Sequence, residues 1–210
     1  MKRLSFIFFL FPLLSFSQTE DFQLWSSASI NYSVNKKLEF KLTESLRLRE
    51  NVSLISRQFS QLRSTYKINK SFRLNAGYRF LRTISIEKQT NLRHRFYFDI
   101  IKRKKVKRIR VFSRLRSQYQ TGINYNEFYT RVKLGALYNI RKTPFDPDFS
   151  SEIYFDNKKK QIDKLRYTLA LSFPFNKKIK SNIFYRIQTE KNIVNPNTFY
   201  ILGLGLEYNL

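Results

Sequence analysis

The chain has 210 residues, with 40 Lys and Arg against 15 Asp and Glu, a formal net charge of +25, and no cysteine. With 42% of its residues hydrophobic and 17% aromatic, it holds too much apolar mass for a disordered basic tail. The absence of Cys excludes a disulfide staple, a thiol nucleophile and a thiolate metal site. So high a positive charge first suggests a nucleic-acid binder. The start of the chain speaks against that reading.

Met1-Lys2-Arg3 is a short basic head, and Leu4 to Phe16 is an apolar run ending among the small residues Ser15 and Ser17. This pattern reads as a secretory signal peptide over residues 1–17, with a mature domain from Gln18 to Leu210. The run is too short for an ordinary spanning helix, which needs about 20 apolar residues. Beyond it, charges recur every few positions and the mean hydropathy is −0.46. A β-barrel gives the same average, because lipid-facing and lumen-facing residues alternate and cancel.

In chain order, Phe22 to Val34 holds the single Trp, Trp25, and places Ala28, Ile30 and Tyr32 on one parity. Asn35-Lys36 reads as a turn. Lys37 to Glu50 is the clearest alternation, with Leu38, Phe40, Leu42, Leu46 and Leu48 on one face and Glu44 breaking it. Arg57 to Ile68 follows, then the turn Asn69-Lys70, then Ser71 to Ser85. Asn91 to Ile101 leads into Lys102 to Arg108, read as a basic turn, and Ile109 to Thr121 returns. Glu127 to Ile140 repeats the pattern. The prolines of Thr143 to Asp148 exclude a ladder strand there, leaving the short run Ser151 to Asp156. Lys164 to Phe175, the turn Asn176-Lys177-Lys178, Ile179 to Glu190 and Phe199 to Leu210 complete the chain.

This succession of about eleven strands, with no helical stretch between them, predicts an all-β fold: a single antiparallel up-and-down transmembrane barrel of about ten to twelve strands. Even counts are the rule for such barrels, so one of these strand assignments is expected to be wrong. Phe22 to Val34 is the doubtful one, expected as two short strands or as a segment lying in the lumen. The last strand ends in Gly205, Tyr208 and Leu210, spaced like the C-terminal signal read by the outer-membrane assembly machinery. Placing that end in the periplasm puts the Asn-Lys turns on the periplasmic side and the longer polar loops outside. A soluble sandwich would show similar alternation.

Trp25, the strand through Arg47 and Arg49, Leu92-Arg93-His94-Arg95-Phe96-Tyr97, Arg114-Leu115-Arg116-Ser117-Gln118-Tyr119, Tyr129 to Leu134 and the Gly-Leu-Gly-Leu ending occur in this order along the chain. Together they resemble an uncharacterised family of Gram-negative, Bacteroidetes-type outer-membrane barrels known only as a domain of unknown function. The resemblance implies fold and location. It supplies no reaction, ligand or catalytic residue.

The expected inner face is rich in arginine: Arg47, Arg49, Arg63, Arg73 and Arg79 in the first half, Arg93, Arg95, Arg110, Arg114 and Arg116 in the middle, and Arg131, Arg166 and Arg186 beyond. Glu39, Asp99, Glu152, Glu190 and Glu207 are the acidic partners expected. A narrow barrel would fill its lumen with such ion-pair ladders; an anion-attracting small pore is the alternative. His94, the single histidine, falls on lipid parity. A hairpin through the basic turn would set it near Leu115, between Ser113 and Ser117, the geometry a lipid hydrolase would need. No acidic orienter accompanies that pair, and the expectation is a non-enzymatic protein without cofactor or metal. Its expected partners are outer-membrane lipids and the assembly machinery, and no nucleic acid.

Overall fold

The computed structural model describes residues 20–210; the signal-peptide assignment and its cleavage point lie outside the described residues. Eleven strands form one closed barrel: β1 (Glu20–Ser33), β2 (Leu38–Arg49), β3 (Leu54–Lys67), β4 (Phe72–Ile84), β5 (Thr90–Val106), β6 (Ile109–Gly122), β7 (Tyr125–Tyr138), β8 (Asp146–Asp156), β9 (Gln161–Pro174), β10 (Ile179–Glu190) and β11 (Thr198–Asn209). Each strand pairs antiparallel with its neighbours in sequence, and the ring closes by a parallel pairing of β1 with β11, from Glu20 opposite Thr198 to Asn31 opposite Asn209.

The period-two alternation explains why these segments form a wall. Successive side chains of a strand point to opposite faces, and here Leu62, Phe96, Leu134 and Leu169 point outward with half or more of their surface uncovered. The inner face instead holds Tyr97, Asp99, Arg116, Gln118, Arg131 and Glu152, all buried. The molecule is therefore inside out relative to a water-soluble domain. That arrangement is stable where hydrocarbon covers the outer wall, and closure leaves no unpaired strand edge within it.

Several expectations are corrected. Phe22 to Val34 is neither split nor lumenal: β1 is a full wall strand, and the barrel has an odd count made possible by one parallel seam. The basic segment Lys102 to Arg108 is mostly strand; β5 runs through Val106 and only Lys107 and Arg108 turn the chain. β8 begins at Asp146 and includes Pro147, which pairs with Leu171 of β9. Pairing of β8 with β7 begins only at Asp148, so the missing N–H of Pro147 falls beyond that ladder's end. The expected contrast between short turns at one end and long loops at the other is also absent. Connections range from two to seven residues at both ends, as at 107–108 and 139–145 on one and 123–124 and 191–197 on the other.

The three Asn-Lys turns share one device. The side-chain carbonyl of Asn35 accepts from the backbone N–H of Lys37 (2.8 Å) and Leu38 (2.9 Å). Asn69 does the same for Ser71 and Phe72, and Asn176 for Lys178 and Ile179, all at 2.8 Å. An Asx turn of this kind satisfies two amides that the ladder cannot reach and fixes the register of the hairpin it closes.

Candidate functional site

The lumen holds a cavity of about 840 Å³ that opens at the Glu20 end of the barrel. Arg and Lys side chains supply thirteen of its lining residues, and Asp and Glu supply six. Five of those acids, Glu20, Asp21, Glu50, Glu127 and Glu190, belong to strand ends or loops at that mouth, so Glu152 is the one set deep among the cations. A second space of about 180 Å³ lies toward the Leu210 end, and Arg63, Arg114 and Lys133 border both, marking the boundary between them. At the Leu210 rim, Lys105, Arg108 and Arg110 line a further small hollow.

Two acids organise part of the array. Asp99, fully buried, accepts from Arg116 Nε (2.6 Å) and Nη2 (2.9 Å) and from Asn75 Nδ2 (3.1 Å). Glu152 is paired with Arg131 at 2.9 Å, with Arg166 at 3.4 Å and with Arg114. The planar fork of a guanidinium suits both arrangements. The other three expected acids serve lysines instead: Glu39 meets Lys67 (3.2 Å), Glu190 meets Lys164 (3.7 Å) and Glu207 meets Lys41.

Six of the remaining arginines rest on neutral groups and aromatic faces. Arg47 lies 3.6 Å from the centre of the Trp25 ring, and Arg186 reaches the same indole at 5.1 Å. Arg79 stacks on Phe59 at 3.8 Å and donates to Gln61 at 2.9 Å. Arg95 donates to Gln120 at 2.8 Å, Arg186 to Thr168 at 2.9 Å, and Arg49 to the Ile84 carbonyl at 2.9 Å. Arg93 stacks on Tyr125 at 3.6 Å. Arg73 lines the lower space and Arg110 the rim hollow. Among the described residues, seven arginines of the main cavity (Arg47, Arg49, Arg57, Arg63, Arg79, Arg95 and Arg186) have no carboxylate partner. For Arg47, Arg79 and Arg186, stacking offsets part of the desolvation while leaving the positive charge directed at the open space.

A full set of ion-pair ladders is thus not what occupies the lumen; cations outnumber acids and a large volume stays open. The sequence-based set lacked Trp25, Arg57 and the glutamines Gln61, Gln118, Gln120 and Gln188. Arg57 and the glutamines shared the inward parity of their neighbours, which was the available signal. Trp25 lay in the segment whose placement was doubtful.

His94 does not meet the serines expected beside it. In the β5–β6 register it stands opposite Thr121, whereas Ser113 faces Lys102 and Ser117 faces Phe98. The basic segment extends β5 instead of forming a wide turn, and this shifts the register. The His94 Nδ1 and the Tyr78 hydroxyl share a hydrogen bond of 2.8 Å on the outer wall. Among the described residues, no group of three or more His, Asp or Glu is placed to hold a metal ion.

Residues 22–199 match the model of a family described as "Protein of unknown function (DUF2490)". Comparison with curated sequences finds no significant relative. Among solved structures, the chain is similar to the NanC porin (TM-score 0.55, 12% identity, covering 90% of this chain and 99% of that one). It is also similar to the KdgM porin (TM-score 0.51, 14% identity, covering 76% and 81%). At such identity the likeness is one of fold: a porin-like outer-membrane barrel.

Proposed function

The chain belongs to the DUF2490 family, and on that premise we propose that it is a non-enzymatic outer-membrane barrel whose lumen attracts and passes small anions. The carrying observation is an open cavity of about 840 Å³ in which seven arginines have no carboxylate partner. A low-dielectric wall around charges of one sign focuses their field and raises the local concentration of counter-ions. The side chains at the boundary between the two spaces, Arg63, Arg114 and Lys133, are also cationic, so this boundary repels cations. Of the three, Arg114 is held at this boundary by its ion pair with Glu152.

The test is conductance of the purified protein in a planar bilayer under a salt gradient. Discrete steps with a reversal potential of anion-selective sign are expected. Replacing Arg63 and Arg114 by Glu should move that potential toward cation selectivity. A barrel that sits in the membrane fraction, shows a heat-dependent gel shift and conducts nothing would refute the pore while sparing the location. Protein found wholly in the soluble fraction would refute both.

A further inference from the structure

The outer wall contains a polar island where hydrocarbon calls for apolar side chains. Glu44, outward-facing on β2, accepts a hydrogen bond from Ser60 Oγ at 2.8 Å. In the cross-strand row holding Glu44, Ala28, Glu44, Ser60 and Phe80 stand side by side on β1 to β4. In the adjacent row stand Ser26, Leu46, Gln58 and Arg82. Along the strands the wall is apolar on either side of these rows: Leu24, Leu48 and Ile55 toward one rim, Ile30, Leu42 and Leu62 toward the other. Glu44 and Ser60 therefore sit within the apolar band, away from the headgroup levels where polar residues are at ease, and Arg82 lies two residues from the end of β4, nearer the rim. Among the described residues, Gln58 and Arg82 have no side-chain hydrogen bond or ion pair. The surface is also recessed: a hollow of about 870 Å³ is lined by the small residues Ser26, Ala28 and Ser60 together with Phe80, Phe175 and Leu206.

Lipid tails fill a hollow but offer no hydrogen bond, and ionisable side chains facing hydrocarbon are costly and mark contacts. The island carries an acid, a base and an amide, so it is complementary to itself when turned through half a revolution. A two-fold interface requires that property of a single patch. We propose that the β1–β4 face binds a second copy of this chain within the membrane, with Glu44 of each copy meeting Gln58 and Arg82 of the other. The small residues lining the hollow let the two walls approach closely, as small residues do between transmembrane segments. This inference rests on the membrane location proposed above and is independent of anion passage.

Because the chain has no Cys, single cysteines report the contact without background. Ser26→Cys and Ser60→Cys are each oxidised in isolated outer membranes, with Leu134→Cys, lipid-facing on the far wall, as the control. A disulfide dimer of twice the chain mass is expected from at least one of the first two and not from the control. Adding Glu44→Leu, which suits lipid better, should lower the dimer association constant about tenfold through loss of two symmetry-related contacts. Sedimentation of the cysteine-free protein and of Glu44→Leu in detergent reads the same equilibrium should a cysteine variant fail to show the heat-dependent gel shift. Equal cross-linking of all three sites, cross-linking to a different protein, no effect of Glu44→Leu, or a monomeric parent protein would each overturn the proposal. A chain recovered in the soluble fraction would instead overturn the location.

Discussion

Glu152 is the residue whose loss should cost the lumen most. It is 4% exposed and serves three guanidiniums, those of Arg114, Arg131 and Arg166, while the Tyr154 hydroxyl donates to it at 3.3 Å. Removing one partner of a buried ion pair typically destabilises by about 3–5 kcal/mol, because the remaining charge is left uncompensated. Here three like charges are left facing one another, so Glu152→Ala should fall at the upper end of that range, about 5 kcal/mol. Glu152→Gln keeps the shape and one acceptor oxygen, and should cost about half as much. The assay is denaturant unfolding of the barrel reconstituted in lipid, followed by tryptophan fluorescence and by the gel shift. Combining Glu152→Ala with Arg114→Gln should recover about 1–2 kcal/mol, a coupling expected of residues in one network. A cost for Glu152→Ala below about 1 kcal/mol, or strict additivity with Arg114→Gln, would show that water and not the carboxylate compensates these arginines.

Trp25 is the only tryptophan and lies under Arg47 in the lumen; its fluorescence should be quenched more by iodide than by caesium at equal concentration, and Arg47→Gln should narrow the gap. Equal quenching by the two ions would mean that no cationic field reaches the indole. The ring of Phe184 occupies the place a side chain at Gly203 would fill, so Gly203→Ala should cost about 1–3 kcal/mol as overpacking, largely reversed by adding Phe184→Leu; a neutral Gly203→Ala in the unfolding assay refutes the contact. Asp99→Leu alone should destabilise by about 3–5 kcal/mol, whereas Asp99→Leu with Arg116→Met should be markedly milder, since no charge is then stranded. Equal losses for the single and double variants would remove the pairing from the account.

The wall was legible because its signal is local. In β2, Leu38, Phe40, Leu42 and Leu48 alternate with charged or hydroxyl residues, and the parity read from the chain is the one the fold uses. Two kinds of information were not local. The seam joins Glu20 to Thr198 and Asn31 to Asn209, and no period along the chain reports which strand lies beside β1; the rule of even counts filled that gap and misled. The β5–β6 register turned on where a basic run stops being strand, and Lys, Arg and Val at 102–108 suit an amphipathic strand end as well as a turn. Within the lumen, parity gave the arginines but not their partners. Whether a carboxylate meets lysine or arginine depends on side-chain reach across neighbouring strands, as with Glu207 of β11 and Lys41 of β2, two strands apart through β1.

The parallel seam between β1 and β11 puts Glu20 and Leu210 at opposite rims of the barrel. In an even-stranded ring both positions would share one rim and a short bridge could join them. Here a bridge must travel the height of the wall, about 40 Å for a twelve-residue strand, so a circular permutant needs a linker of at least about 12 extended residues lying against lipid or threading the lumen. An epitope placed just before Glu20 and another just after Leu210 would accordingly face different compartments, and a protease or antibody confined to one side could reach only one of them.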